Sequence, residues 1–471
     1  MKFVILFLVN TIDMDGEKIV FKPHLVVSVL GMSKSGKSCL VGNLGGGPLP
    51  FYVAQNMTDE TDTVHPCFHQ INDFGSYTLF IHDLPGNPKY FKNLYRQLCI
   101  SDVVVITIPI NTYKLYQDKT RYFAQLAFIA GITQIVVAIT KMDTVQYSKT
   151  DFIDASEHTS QLLESIGFKL GAIKFCIPIF YDSLSGNISK ESMHMPWYTG
   201  NSIYSALQLL KPRKFDENGE FLFSVSRKFK ILGVGRMIFG RIISGRLNSR
   251  DTIKMVSKES TSQLVRMYLP TDIHRESCRA GDMVSIRMTY QTRDKLTGKT
   301  FLSSSKSKIE FAASFKCKIM ILSSGIKITE GFSPLSHVHQ SMFRTNWISF
   351  EKTVSRKSGK TIKMNPDILE KGDVAIIECE LVTTYIYLLS FKENQQYGRI
   401  VFRDGTTIVA AGVILSVNNI DSVTYDNQKR YKYWMYGKRD PKRKSKTKKT
   451  ITNVKNTSSG TGRLTKAAGR I

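Results

Sequence analysis

The chain has 471 residues and carries 65 Lys+Arg against 39 Asp+Glu, which gives a formal net charge of +26. Its hydrophobic fraction of 42% is enough for several packed cores and excludes a wholly disordered, collagen-like or coiled-coil protein. The seven cysteines include no C-x-x-C pair, which indicates reduced thiols and a cytoplasmic protein. No apolar run reaches the ~18–20 residues of a membrane span, so no membrane insertion is expected.

Strand-like and helix-like segments alternate through residues 1–212. Apolar, β-branched runs predict buried parallel strands at Leu25–Leu30, Tyr77–Ile81, Val103–Ile108 and Ile135–Ile139. Between them, Asn93–Cys99 and Lys119–Ala130 are predicted to be helices. This alternation predicts an α/β nucleotide-binding domain.

The pattern changes after residue 212. From Phe221 onward, short alternating strands separated by glycines replace the helices, and the polar stretch Gln291–Lys308 divides them into two blocks. We therefore predict two antiparallel β-barrels in tandem. The predicted boundaries are 1–212 for the α/β domain, 213–307 and 308–425 for the barrels, and 426–471 for a basic tail.

The tail is the most basic part of the chain. From Gln428 to Ile471 it has fifteen Lys/Arg and the single acid Asp440, so it carries +14 of the total +26. We expect a disordered arm that lies along nucleic-acid phosphates. The alternatives are a charged tail or a localisation signal without a dedicated partner. Within it, the aromatic and cationic cluster Tyr431–Trp434 either stacks on unpaired bases or packs on the last barrel.

A phosphate-binding motif follows the first predicted strand. The pattern G-x-x-x-x-G-K-[ST] is matched by Gly31, Met32, Ser33, Lys34, Ser35, Gly36, Lys37 and Ser38. In such a loop the backbone N–H groups surround the phosphates, Lys37 contacts the β- and γ-phosphates, and the Ser38 hydroxyl is a Mg²⁺ ligand.

Two shorter motifs come at the ends of later predicted strands. Asp83 and Gly86 form a D-x-x-G segment, in which the aspartate holds Mg²⁺ through water and the glycine N–H reaches the γ-phosphate. Thr140, Lys141 and Asp143 follow the Ile135 strand, and a carboxylate there accepts both N1–H and the exocyclic amine of guanine. Adenine has no such pair of donors, so Asp143 favours GTP and GDP over ATP.

Matches to one family run almost from end to end. The chain resembles elongation factor 1-alpha, a translational GTPase with one G domain and two β-barrels. Besides the nucleotide motifs, the similarity includes Met195–Gly200, Gly233–Gly235, Gly240–Arg241, Arg356–Lys360, Lys371–Asp373 and Arg403–Ile414. The resemblance implies a monomer that delivers aminoacyl-tRNA to the ribosome as a GTP complex with Mg²⁺, served by an exchange factor. Release factor 3 and the ribosome-rescue GTPase share this architecture, so termination and rescue stay open.

The family's catalytic position is altered in this chain. Family members carry a histidine directly after the D-x-P-G segment, and here that position is Asn87. Asparagine can orient a water molecule but cannot become a cation that stabilises phosphoryl charge. We expect GTP hydrolysis to be slow or absent. The buried-strand residue His82 is not expected to replace the histidine.

Two further regions depart from the family. The segment between Ser38 and Asp83 is short, and within it Thr63 is the candidate switch threonine for Mg²⁺, with Thr61 as its rival and an ordinary acidic loop as the alternative. Phe180 and Tyr181 replace the expected Ser-Gly pair, and side chains of this size can stack on or fill the guanine pocket. These departures also fit a non-hydrolysing paralogue that binds RNA, ribosomes or the cytoskeleton as a scaffold.

Overall fold

The computed structural model describes residues 22–44, 67–181, 186–188, 192–231, 235–248, 251–255, 261–268, 277–288, 301–304, 311–323, 327–356, 358–382 and 386–420. Everything described up to Asn419 belongs to one compact unit. The tail and its Tyr431–Trp434 cluster lie outside the described residues, as do Thr61 and Thr63.

The first domain is built on a mostly parallel sheet with the strand order β2-β3-β1-β4-β5-β6. Its strands are β1 (His24–Leu30), β2 (Cys67–Phe74), β3 (Tyr77–Asp83), β4 (Val103–Pro109), β5 (Ile135–Thr140) and β6 (Ile173–Pro178). Only the pairing of β2 with β3 is antiparallel among the described strands of this sheet. The carboxyl ends of the parallel strands therefore meet at one edge, where ligands bind in sheets of this type.

Helices cover both faces of this sheet. They are α1 (Lys37–Leu44), α2 (Phe91–Ile100), α3 (Gln117–Ile129), α4 (Lys149–Ile166) and α5 (Ile203–Gln208). The side chains of β4 alternate between two cores: Val104 packs with α2, α3 and α4, whereas Val105 packs with α1 and α5. Because both faces are covered, β1, β4 and β5 are buried along their whole length.

The second domain is a closed antiparallel barrel with the order β10-β11-β13-β8-β7-β14. Its strands are β7 (Leu222–Ile231), β8 (Gly235–Ser244), β10 (Thr252–Met255), β11 (Thr261–Tyr268), β13 (Met283–Met288) and β14 (Phe301–Ser304). A small ribbon pairs β9 (Arg246–Asn248) with β12 (Ser277–Arg279). Phe223, Ile238 and Ile286 belong to the buried cluster inside the barrel.

The third domain is also antiparallel and closes on itself. Its strands are β15 (Phe311–Ile321), β16 (Leu335–Val338), β17 (Ser341–Val354), β18 (Thr361–Met364), β19 (Val374–Leu381), β20 (Arg399–Asp404) and β21 (Thr407–Ile420). Closure arises because β16 pairs with both β20 and β17. Trp347 is fully buried in its core. The predicted α/β domain followed by two antiparallel barrels is thus confirmed.

A buried ion pair connects the first domain to the first barrel. The Arg241 guanidinium on β8 donates to both carboxylate oxygens of Asp102, at 3.0 and 2.8 Å, and both residues are almost inaccessible to solvent. Arg241 also donates to the carbonyl oxygens of Ile100 and Gly281. With these hydrogen bonds the buried charges are satisfied, as the low dielectric of the interior requires.

Helix α2 connects the first domain to the second barrel. Arg96 donates to the carbonyl oxygen of Gln340, and the Gln340 amide donates to the carbonyl oxygen of Arg96, each at 2.8 Å. The rings of Phe91 and His337 lie 4.8 Å apart, and the Arg403 guanidinium lies 4.8 Å from the Phe91 ring centroid. The helix that follows the Asp83–Gly86 segment is therefore in direct contact with the third domain.

Candidate functional site

The predicted phosphate loop lies between the end of β1 and the start of α1. Its turn places Gly31, Lys34 and Gly36 at positive φ, of which the two glycines accept that conformation without strain from a side chain. The Ser35 N–H donates to the Met32 carbonyl oxygen at 3.2 Å. The sequence G-x-x-x-x-G-K-S thus forms a compact loop that leads directly into a helix N-terminus, a geometry suited to anions.

Two neighbouring strands hold this loop from beneath. At the end of β4, the Thr107 hydroxyl lies 2.6 Å from the Ser35 hydroxyl and donates to the Leu30 carbonyl oxygen. At the end of β5, the Thr140 hydroxyl donates to the Ser35 carbonyl oxygen at 3.0 Å. Thr140 is fully buried, and through this hydrogen bond its side chain supports the backbone of the loop. Sequence analysis missed Thr107, because a threonine within an apolar strand carries no motif.

Lys37 folds back over the loop. Its ammonium group donates to the Met32 carbonyl oxygen at 2.8 Å, and the residue is only 7% exposed. Burial lowers the pKa of Lys37 to about 8, against the opposing effect of the Asp83 carboxylate. A buried ammonium group with so little counter-charge is stabilised when an anion arrives.

Ser38 and Asp83 meet at the same edge of the sheet. The Ser38 hydroxyl donates to Oδ2 of Asp83 at 2.6 Å. A hydroxyl and a carboxylate are oxygen donors of the kind that Mg²⁺ prefers, so this pair fits the chemistry of the predicted ion. Elsewhere in the described ranges, no group of three or more His, Cys, Asp or Glu side chains is placed to hold a metal ion.

Gly86 lies directly against the phosphate loop. A Cβ at Gly86 would fall 2.6 Å from the Met32 carbonyl carbon and 2.8 Å from Nζ of Lys37. Since real Cβ atoms do not approach this closely, a side chain at position 86 would force the two segments apart. The structure therefore brings both Asp83 and Gly86 to the phosphate loop, Asp83 at Ser38 and Gly86 at Met32 and Lys37.

Asn87 caps the turn that follows this cluster. It is exposed, and its side-chain oxygen accepts a hydrogen bond from the Lys89 N–H at 3.0 Å, which caps the 3₁₀ turn Pro88–Tyr90 ahead of α2. His82 offers no replacement, because it is fully buried and its Nδ1 lies 3.3 Å from the Ser28 hydroxyl. Burial, together with the Arg241 charge, lowers the pKa of His82 to about 3, so the ring is neutral near pH 7.

The predicted base-reading residues lie at the end of β5. Lys141 has a left-handed backbone conformation (φ 64°), and Asp143 lies exposed in the turn Met142–Val145. The Met142 N–H donates to the Ile179 carbonyl oxygen at 3.3 Å, which joins this turn to the segment after β6. Asp143 is thereby placed beside the Phe180–Tyr181 pair.

Phe180 and Tyr181 have different environments. Phe180 is buried, with ring centroids 5.0 Å from Tyr147 and 5.4 Å from His194, so it belongs to the hydrophobic core. Tyr181 instead lies against the phosphate loop, where a Cβ at Gly36 would fall 2.5 Å from its Cε2 and Cζ atoms. Tyr181 thus lies in direct contact with the phosphate loop.

Three further polar residues, Asn187, His337 and His339, are buried in the structure. Asn187 is buried, donates to the Pro178 carbonyl oxygen and accepts from the Ser192 N–H, so it supports the segment after β6. His337 and His339 are buried, and burial lowers the pKa of each to about 3. No helix among the described residues is both long and apolar enough to cross a membrane. The candidate switch residue Thr63 lies outside the described residues.

Known proteins similar to this chain are translation factors. Residues 22–306 match the family described as the elongation factor Tu GTP binding domain, and residues 314–415 match the GTP-eEF1A C-terminal domain-like family. Elongation factor 1-alpha of Methanosphaerula palustris is 27% identical over 426 residues, which cover 84% of this chain and 97% of that protein. That of Methanocaldococcus jannaschii is 27% identical over 427 residues, covering 84% and 98%.

Two solved structures share this fold. The Ski7 GTPase-like domain of S. cerevisiae, bound to GTP, superimposes with a TM-score of 0.65 at 17% identity and covers 84% of this chain and 97% of its own. Elongation factor SelB of Methanococcus maripaludis, in complex with a GTP analogue, gives 0.64 at 17% identity, with coverages of 86% and 81%. Since the first matching family spans more than half of the chain, this protein belongs to the elongation factor Tu and elongation factor 1-alpha family of translational GTPases.

Proposed function

We propose that the phosphate loop, the Asp83–Gly86 segment and Asp143 form a site for GTP and GDP with Mg²⁺. The observation that carries this proposal is the convergence on one sheet edge of the buried Lys37 ammonium and the Ser38–Asp83 hydrogen bond. Lys37 neutralises phosphate charge, Ser38 ligates the ion directly and Asp83 does so through water. Mg²⁺ contributes positive charge to the phosphate oxygens when it is bound.

The remaining residues of the site contribute backbone and base contacts. The main chain of residues 31–36 surrounds the phosphates, and the Gly86 N–H contacts the γ-phosphate near Lys37. Lys141 and Asp143 contact the guanine base, with Thr140 connecting them to the loop through Ser35. The candidate switch threonine, Thr63 with Thr61 as its rival, lies outside the described residues and stays a sequence-based prediction.

Nucleotide binding by purified protein tests this proposal. We expect purified protein to bind fluorescent GDP in Mg²⁺ at micromolar or lower Kd with ATP unable to compete, and Lys37→Ala to weaken binding at least a hundredfold. Lys149→Ala removes an exposed lysine at the start of α4 and serves as the matched control. Asp143→Asn should exchange preference for guanine for preference for xanthine, because xanthine carries a carbonyl in place of the exocyclic amine. ATP competing as well as GTP would refute a guanine site.

On this site we propose the activity of elongation factor 1-alpha, the delivery of aminoacyl-tRNA to the ribosome by a cytoplasmic monomer with an exchange factor. The support is the three-domain order, the net charge of +26 and the relatives named elongation factor 1-alpha, matched over nearly their whole length. A strongly basic protein is suited to binding RNA phosphates. The GTP-loaded protein should slow hydrolysis of the aminoacyl ester of tRNA, whereas the GDP-loaded protein should not. Equal protection in both states, or none, contradicts delivery.

Hydrolysis is proposed to be slow. The Asn87 side chain is neutral and is engaged as the cap of the Pro88–Tyr90 turn, so it supplies no cation to the phosphoryl group. The same observation favours a second candidate, a non-hydrolysing GTPase-fold paralogue that acts as a scaffold on RNA, ribosomes or the cytoskeleton. Phosphate release measured with and without ribosomes separates the two, because robust ribosome-stimulated turnover excludes the scaffold.

A further inference from the structure

The Tyr181 ring takes the space beside Gly36 of the phosphate loop. Gly36 has φ +91°, and a Cβ built there would lie 2.5 Å from both Cε2 and Cζ of Tyr181. The contact joins residues 145 positions apart, at the end of β6 and the start of α1. It exists only because position 36 is glycine and position 181 carries a long, flat side chain.

The Tyr181 hydroxyl is buried in this contact. It has almost no accessible surface and no hydrogen-bond partner among the described residues. Burial raises the pKa of Tyr181 well above its ordinary value, and the nearby Cys39 thiol and Asp143 carboxylate act in the same direction. The hydroxyl is therefore a protonated donor that lies against the phosphate loop and has no hydrogen-bond partner among the described residues. Such a group is held in place by packing of the ring and not by a bond of its own.

The ring lies beside groups that the proposed nucleotide site uses. A phosphate chain needs access to the main chain around Gly36, and a guanine base needs access to Asp143. The ring is packed on the first and electrostatically coupled to the second.

We propose that Tyr181 covers the nucleotide site beside Gly36 of the phosphate loop and must move before a guanosine di- or triphosphate can bind. This inference rests on the proposed guanine-nucleotide site. The apparent affinity is reduced by the fraction of molecules in which the ring is displaced. If the covering state exceeds the open one about tenfold, removing the ring raises the apparent affinity about tenfold.

The test compares Kd and association rate for fluorescent GDP among matched variants. Tyr181→Ala should bind about tenfold more tightly than the unchanged protein, mainly through faster association. Tyr181→Phe keeps the ring and should stay within about threefold. Tyr77→Ala is the control, because Tyr77 packs on the same hydrophobic cluster but begins β3 at the opposite edge of the sheet. Thermal unfolding establishes that each variant is folded.

The outcomes separate this inference from the proposed function. If the unchanged protein binds GDP and Tyr181→Ala binds equally or more weakly, the inference is wrong while the guanine site stands. If neither protein binds although both are folded, both ideas are wrong. A gain in Tyr181→Phe equal to that in Tyr181→Ala also overturns the inference, because the hydroxyl and not the ring would then be the obstacle.

Discussion

Replacing Arg241 by methionine should release the first barrel from the nucleotide-binding domain. The guanidinium donates to Asp102 twice, at 3.0 and 2.8 Å, and to the carbonyl oxygens of Ile100 and Gly281 at 2.6 and 2.9 Å. Asp102 is fully buried, and after the change its carboxylate would keep the backbone N–H groups of Val26 and Arg213 as donors and the buried Arg213 guanidinium as a nearby charge, but would lose its two side-chain hydrogen bonds. A buried charge deprived of its partner costs about 3–5 kcal/mol.

Hydrogen exchange measures this cost where it arises. The Val26 N–H donates to Oδ2 of Asp102 at 2.9 Å, so peptides that contain β1 report on opening of the pair. At about 1.4 kcal/mol for each factor of ten, exchange of β1 and β8 should accelerate roughly a hundredfold or more in Arg241→Met. Methionine keeps most of the apolar volume, so the charge and its hydrogen bonds are what the variant removes.

A surface pair of the same barrel provides the comparison. Arg246 and Glu217 lie 3.2 Å apart, but their side chains are 60% and 36% exposed. Such pairs contribute about 0.2–1 kcal/mol, so Arg246→Met should change exchange less than about tenfold. If Arg241→Met accelerates exchange of β1 no more than Arg246→Met does, the buried pair does not hold the two domains together and the reasoning fails.

Three further predictions concern the nucleotide site. The pKa of Lys37 in the free protein is about 8, and bound phosphate should raise it. GDP affinity should therefore be constant below pH 8 and fall as the pH rises above that value. Titrations from pH 6.5 to 9.5 measure this, and no fall would mean that Lys37 does not contact the phosphates. Asn87→His should increase ribosome-stimulated phosphate release about a hundredfold, and an unchanged rate would mean that another step limits turnover. Gly86→Ala should weaken GTP binding about tenfold and GDP binding much less, because the added methyl would fall 2.8 Å from Nζ of Lys37. Equal losses of affinity for both nucleotides would contradict a contact between Gly86 and the γ-phosphate.

The strands that could be predicted from the sequence are those whose burial requires a distinctive composition. β1, β4 and β5 are buried on both faces and consist of continuous β-branched runs, so their positions followed from composition alone. β2 was not predicted, because its sequence CFHQINDF mixes polar and apolar residues and it pairs antiparallel to β3 at the edge of the sheet. Its place depends on its partner, which a local pattern cannot show.

The same distinction applies to the site. The phosphate loop was predictable because glycine spacing fixes the local backbone, and strand order then brings Asp83 and Asp143 to the same edge. The bulk of Tyr181 suggested that it could stack on or fill the guanine pocket. Its contact with Gly36 depends on one rotamer and on a separation of 145 residues, so it needed coordinates. The Arg241–Asp102 pair, 139 residues apart, was missed for the same reason.

The segment from Asp83 to α2 is held at both of its ends. At the first end Gly86 lies against the phosphate loop, and at the second α2 is joined to the third domain by the two hydrogen bonds between Arg96 and Gln340. Between them lies only the turn Pro88–Tyr90, which the Asn87 side chain caps. Because α2 is anchored, a displacement of Gly86 must either distort this turn or move α2 against the barrel. Asn87 caps this turn through its side-chain oxygen, so it helps to connect the position of Gly86 to that of α2.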